Sequence, residues 1–200
     1  MGIEWRYKAG QTLINEEEKD GLMHTMISLQ SELDELEQYN IQKALLWTLS
    51  LKVSKETLFS EDFIKRLHKK MFGEVWKWAG SFRKSDKNIG VNWHKIGIDL
   101  KTLLDDALFW VNNSSFAPEE IALRLKHRLV AIHCFPNGNG RHSRIMADLV
   151  IEKIYRKPPF PWYFSKNTDV KAIRKKYINA LKSADKGDIK PLIEFACTGG

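Results

Sequence analysis

Twelve residues, His133 to Arg144 (HCFPNGNGRHSR), lie between two apolar stretches of helical period and force a turn between two buried helices. Upstream, Ile121, Leu125, Leu129 and Ile132 recur every three or four residues, the spacing of one helix face. Downstream, Ile145, Leu149, Ile151 and Ile154 form a second apolar helix. Pro136, Gly138 and Gly140 do not continue a helix, and the glycines admit the positive φ that a sharp reversal requires. Six prolines and twelve glycines against 43% apolar residues favour helices over a many-turned β-sandwich. The expected fold class is all-α.

Outward from that turn the helical pattern covers most of the chain. Pro118-Glu119-Glu120 opens the upstream helix, because proline and acids suit a first helical turn. Another helix is expected over about 98–111, and another after Ser60-Glu61-Asp62, where a serine cap precedes Phe63, Leu67, Met71 and Phe72. Leu22, Met26, Leu29, Leu33 and Leu36 predict an acidic amphipathic helix, which either pauses near Tyr39-Asn40 or continues into 41–51. Trp76 to Trp93 has glycines at 80 and 90 around Asp86-Lys87-Asn88 and predicts a short exposed β-hairpin. Pro158, Pro159 and Pro161 force a break, and the tail from Val170 to Phe195 is helical around an ADKGD turn. The expected organisation is an N-terminal arm and acidic helix over 1–40, a candidate regulatory segment, followed by one domain over 41–197.

The net charge of +7 invites an anionic partner, yet the basic clusters, Arg124-Lys126-Arg128 among them, sit at helical spacing and read as solvated faces. Nucleic acid is not an expected partner, since no binding motif accompanies the charge. Two cysteines, Cys134 and Cys197, make no disulfide framework or zinc-finger spacing. The N-terminus has no apolar signal core and no run reaches the ~20 residues of a membrane span, so a soluble cytoplasmic protein is expected.

The chemistry concentrates in the turn. Successive N–H groups around Gly138 and Gly140 can converge on an anion, and the following helix adds its free N–H groups and positive dipole end. Arg141 and Arg144, three apart on that helix, are expected to face the same anion, with arginine forks suited to phosphate oxygens. His133 stands just upstream, able to take a proton near neutral pH. Cys134 reads as a small buried residue beside it. No Walker A loop is present, and the histidines lack zinc spacing.

These twelve residues resemble the Fic/Doc (Fido) family motif, H-x-F-x-[D/E]-G-N-G-R-x-x-R, at every fixed position but Asn137, where the family usually has an acid. WAGSFR (78–83) is similar to the approach to the family's flap, the similarity covers about residues 41–197, and the layout resembles the branch called mobile mystery protein B. The resemblance implies the Fic helical fold with a short β-hairpin flap and transfer of AMP from ATP to a Ser, Thr or Tyr hydroxyl of a target protein. It makes His133 the base, Phe135 a core anchor, and Gly138, Asn139, Gly140, Arg141 and Arg144 the phosphate cradle. It places Mg²⁺ at position 137, and makes Arg83, Lys84, Ile89, Gly90 and Val91 part of a flap that clamps the target by strand addition. A bacterial role, with an antitoxin-like regulator or self-inhibition, is also implied.

Asn137 brings an oxygen but no charge to a cation that favours carboxylates, so weaker Mg²⁺ binding is expected. For self-inhibition the family uses a glutamate that pairs with the second motif arginine, here Arg144. Glu32 and Glu35 on the acidic helix are the candidates. Phosphoryl or other nucleotidyl transfer by the same motif stands as an alternative, as does a catalytically weak nucleotide-binding or interaction module.

Overall fold

Caps and apolar periodicity divide the chain into helices much where the sequence places them. The computed structural model describes residues 15–24, 26–162 and 170–198; the expected arm over the first dozen residues lies outside them. Short helices α1 (Glu16–Lys19) and α3 (Lys55–Leu58) accompany the long α2 (Gln30–Leu49). Next come α4 (Glu61–Phe72), α5 (Ile96–Asn113), α6 (Pro118–Ile132), α7 (Asn139–Leu149), α8 (Val170–Asp185) and α9 (Lys190–Thr198). Ser60 caps α4 by accepting the Phe63 N–H at 3.2 Å. Pro118 occupies the first helical position of α6. One π-turn, Val150–Ile154, continues α7 before the proline-rich break.

The core lies where α6 packs between α5 and α7, with α4 and α2 layered beside them. Leu67 and Ile64 of α4, Leu100 of α5, Leu125 of α6 and Met146 of α7 have no solvent exposure. Each such side chain contributes roughly 1.5–3 kcal/mol when fully buried. Ala180, Ala184, Ile189 and Leu192 join α8 to α9 in a smaller cluster.

Two expectations are corrected. The N-terminal acidic helix starts at Gln30, not Leu22, although it does run on through residues 39–40 to Leu49. Residues 21–23 instead lie alongside 75–77: Leu22 bridges Trp76, Met23 N–H donates to the Val75 carbonyl and Lys77 N–H to that of Gly21. Long-range backbone pairing therefore outcompetes the local stripe, and Met26 and Leu29, which the stripe would bury, are exposed.

The segment after WAGSFR is not a β-hairpin either, since no strand occurs among the described residues. Its arms meet through the side chains of Arg83 and Asp86 and not through a backbone ladder, and both fasten to the end of α6. Arg83 N–H donates to the Cys134 carbonyl at 2.9 Å and Val91 N–H to the Ile132 carbonyl at 3.3 Å.

Candidate active site

His133 ends α6 in the left-handed region, φ 59° and ψ 60°, with its N–H still bonded to the Leu129 carbonyl. Histidine tolerates this conformation better than most side chains, and the reversal throws the next residues into the loop. The residue is buried, only 3% exposed. Nδ1 lies 3.3 Å from the Val130 carbonyl, which can only accept, so Nδ1 carries the proton and Nε2 is the basic nitrogen. Burial, with Arg83 and Lys87 nearby, pushes the imidazole down to about 4, so it is neutral at physiological pH.

The loop that follows is braced from inside. Asn139 accepts the Phe135 N–H at 2.9 Å and donates to the Phe135 carbonyl at 2.8 Å. Its side chain is therefore a strut within the loop, which leaves its backbone N–H, at the start of α7, as the group it can offer the expected phosphate cradle. Gly138 adopts φ 78°, and a Cβ there would lie 2.5 Å from Phe72 Cε2, so only glycine fits. A Cβ on Gly140 would meet no protein atom, which leaves that side of the α7 N-terminus open. Cys134 is buried and its thiol is pushed up to about 12, consistent with a packing role.

The two arginines do not converge as their spacing suggests. Arg141 Nη1 donates to Glu37 Oε2 at 2.6 Å and its guanidinium lies over the Phe72 ring, facing α2 and α4. Arg144 lies 4.5 Å from the Tyr177 ring centroid and 5.6 Å from that of Trp162, on the C-terminal side. Lys126, expected on a solvated face, has no exposure and donates to the Tyr177 hydroxyl behind Arg144. Burial and the Arg144 charge hold its amine well below the ordinary lysine range.

Arg83 is corrected from a target-binding residue to a staple. It is 2% exposed; Nε donates to the His133 carbonyl at 2.6 Å, Nη1 to that of Ser85 at 2.8 Å, and Nη2 to that of Val91. The flap it holds crosses the base directly, because a Cβ on Gly90 would sit 2.6 Å from His133 Cβ. Lys84 and Ile89 are exposed at its outer side and Val91 is half-buried.

Glu32 and Glu35 do not reach the motif. Glu32 accepts the N–H groups of Ser28 and Leu29, capping α2, and Glu35 is exposed. The acid that does reach it is Glu37, 5% exposed, whose other oxygen accepts Trp76 Nε1–H at 2.6 Å. The sequence carried a signal for it: Leu33, Glu37, Ile41 and Ala44 share one face, so an acid interrupts a buried stripe. His68 breaks the buried face of α4 in the same way, between Ile64 and Phe72.

Position 137 fits Mg²⁺ poorly. Its one neutral oxygen, Asn137 Oδ1, accepts the Gly138 N–H at 2.6 Å, and the loop holds no carboxylate. Among the described residues no group of three or more His, Cys, Asp or Glu is placed to hold a metal.

A buried neutral imidazole at the lip of a glycine-bounded helix N-terminus, inside an all-helical core, defines a helical domain built around that turn. Residues 58–151 match the Fic/DOC family. The protein adenylyltransferase Fic of Aedes aegypti is 29% identical over 147 residues, covering 72% of this chain and 28% of that relative. The Drosophila virilis protein of the same name is 31% identical over 136 residues, 66% of this chain and 26% of the relative. The chain thus spans little more than a quarter of these relatives. Among solved structures, Fic-1 of C. elegans (residues 134–508) superposes with a TM-score of 0.69 at 24% identity, covering 90% of this chain and 52% of that one. BepC of Bartonella tribocorum, with bound AMPPNP, gives 0.66 at 18% identity over 96% and 94%. These likenesses establish the all-α fold.

Proposed function

We propose that this chain is a Fic-type protein adenylyltransferase, moving AMP from ATP to a Ser, Thr or Tyr hydroxyl of a target protein. The observation that carries the reading is His133: a buried, neutral imidazole whose Nε2 is the basic nitrogen, beside the open N-terminus of α7. The relatives named as protein adenylyltransferases support it.

Nε2 takes the proton from the acceptor hydroxyl as its oxygen attacks the α-phosphorus. The bond from that phosphorus to the β-phosphate oxygen breaks, and pyrophosphate leaves with the electron pair. Backbone N–H groups of residues 139–141, and that of Gly138 once Asn137 Oδ1 turns off it, stabilise the charge on the phosphates together with Arg141 and Arg144. Arg141 must exchange Glu37 for phosphate oxygen to do so. Mg²⁺ would supply further phosphate neutralisation, but Asn137 is a weak partner for it, and no step here depends on it. The flap, through Lys84, Ile89, Gly90 and Val91, would receive the target segment. Residues 41–197 act as the catalytic domain and 1–40 as the regulatory segment, with α2 crossing between them. A place in the mobile mystery protein B-like branch, a cytoplasmic bacterial setting and an antitoxin-like regulator rest on the family resemblance.

Asn137 turned onto its own backbone and Glu37 on Arg141 favour a second reading, a nucleotide-binding module with slow or no transfer. One gel separates them: wild type and His133→Ala are incubated with Mg²⁺, cell lysate and ATP labelled at the α- or γ-phosphate. Protein label from the α position alone, lost in His133→Ala, is the expected outcome. Label from γ alone would move the reaction to phosphoryl transfer, and nucleotide binding without label would leave the binding module.

A further inference from the structure

The peptide joining Asn137 to Gly138 decides which polarity the loop shows to an anion. In a trans peptide the C=O and N–H point in opposite directions, and no cis peptide occurs among the described residues. The Asn137 carbonyl points inward, 3.0 Å from His68 Nε2. The Gly138 N–H therefore points outward, where Asn137 Oδ1 accepts it. Turned over, the same peptide would show an anion a carbonyl oxygen and repel it. Glycine at 138 has little intrinsic resistance to that rotation. The orientation needs an external hold.

We propose that His68 is a positioning residue that locks the Asn137–Gly138 peptide with its N–H toward the phosphate side. The proposal rests on the adenylyl-transfer reading only for the identity of the anion, since any phosphate would take the same N–H in place of Asn137 Oδ1.

Two hydrogen bonds make the lock directional. The Gly80 N–H, which can only donate, lies 3.0 Å from His68 Nδ1. Nδ1 is therefore the acceptor, the proton sits on Nε2, and Nε2 must donate to the Asn137 carbonyl. This is a neutral imidazole, and complete burial beside His142 and Arg141 holds it so by driving its pKa well below the ordinary value. The ring is seated by stacking on Phe135 at 3.7 Å between centroids and by contact with Phe72 at 4.8 Å. Phe135 is the residue that Asn139 braces, so the ring is fixed against a rigid surface. Gly80 begins the approach to the flap. His68 consequently ties the flap's base and the anion loop to one helix, α4.

The test uses substitutions that separate the ring from its hydrogen bonds. His68→Phe keeps the stack on Phe135 and loses both bonds. His68→Gln places an amide donor where Nε2 was, and the shorter amide of His68→Asn keeps an acceptor near Gly80 without reaching Asn137. Inorganic triphosphate and adenosine are titrated into wild type and each variant, and crystal structures report the peptide. His68→Phe should bind triphosphate about tenfold more weakly or worse, with adenosine affinity unchanged to within about twofold and the peptide turned. His68→Gln should recover most of the affinity. If His68→Phe does not fold, His68→Asn is expected to show the same loss. Wild-type triphosphate affinity with an unturned peptide in either variant would overturn the lock, as would equal losses for triphosphate and adenosine. A wild-type protein that binds triphosphate but not adenosine would overturn the adenylyl-transfer reading, while triphosphate and the peptide still decide the lock. Wild type that binds neither overturns both.

Discussion

At His133 a left-handed backbone, costing on the order of 1–3 kcal/mol for a residue other than glycine, coincides with a buried imidazole. Arg83 offsets the strain by clamping the His133 carbonyl, so removing Arg83 should disturb the base and the flap together. Because the ring's pKa lies at about 4, below the ordinary histidine value, the basic form is already fully present above that pH. The expected kcat/KM profile is accordingly flat from pH ~5.5 to ~8, with no limb near ~6.5. A limb near that ordinary histidine value in a pH series would show that His133 is not the buried base described. His133 itself was legible in the sequence because base, glycines and arginines share one short stretch. Asn139's inward strut and Arg83's staple were not, since each depends on which carbonyl the fold brings within reach.

Helix α2 is the element where sequence and structure part most. Its register follows periodicity from Leu33 onward, yet its start is set by Glu32 capping and by residues 21–23 pairing with 75–77. That register brings Glu37 to Arg141, 104 positions away, and to Trp76. Glu37→Gln keeps an acceptor for Trp76 and removes the charge that competes with phosphate for Arg141. ATP should bind that variant up to about fivefold more tightly in a calorimetric titration, since an ion pair with one half-exposed partner is worth up to about 1 kcal/mol. Weaker binding would mean that Glu37 orients Arg141 for phosphate instead of occupying it.

Across the whole molecule, the proline-rich segment after α7 is fastened back to that helix through Asp148, which accepts Phe160 N–H at 3.1 Å and Trp162 Nε1–H at 3.0 Å. Burial raises this carboxyl to about 7, well above its unfolded value near ~3.9. The folded state therefore binds more protons than the unfolded state between those values. The contribution to stability is fully present below about pH 4 and is lost as pH rises through about 7. Asp148→Asn keeps an acceptor and cannot ionise, so its Tm should change less than wild type's between pH ~5 and ~8. Equal slopes in a thermal melt series would remove Asp148 from the pH dependence.

The sequence alone determined the helices α4 to α7, the reversal between α6 and α7, and the place of His133 beside the glycine-bounded loop. Caps, proline and apolar spacing act within a few residues, so they can be read along the chain. Tertiary structure alone decided that the flap is stapled through Arg83, that Arg141 meets Glu37 while Arg144 lies against Tyr177, and that His68 faces Asn137. Those pairings join residues many positions apart, and burial of at least one member drives most of them: a polar group taken from water must find whatever partner the packed helices present.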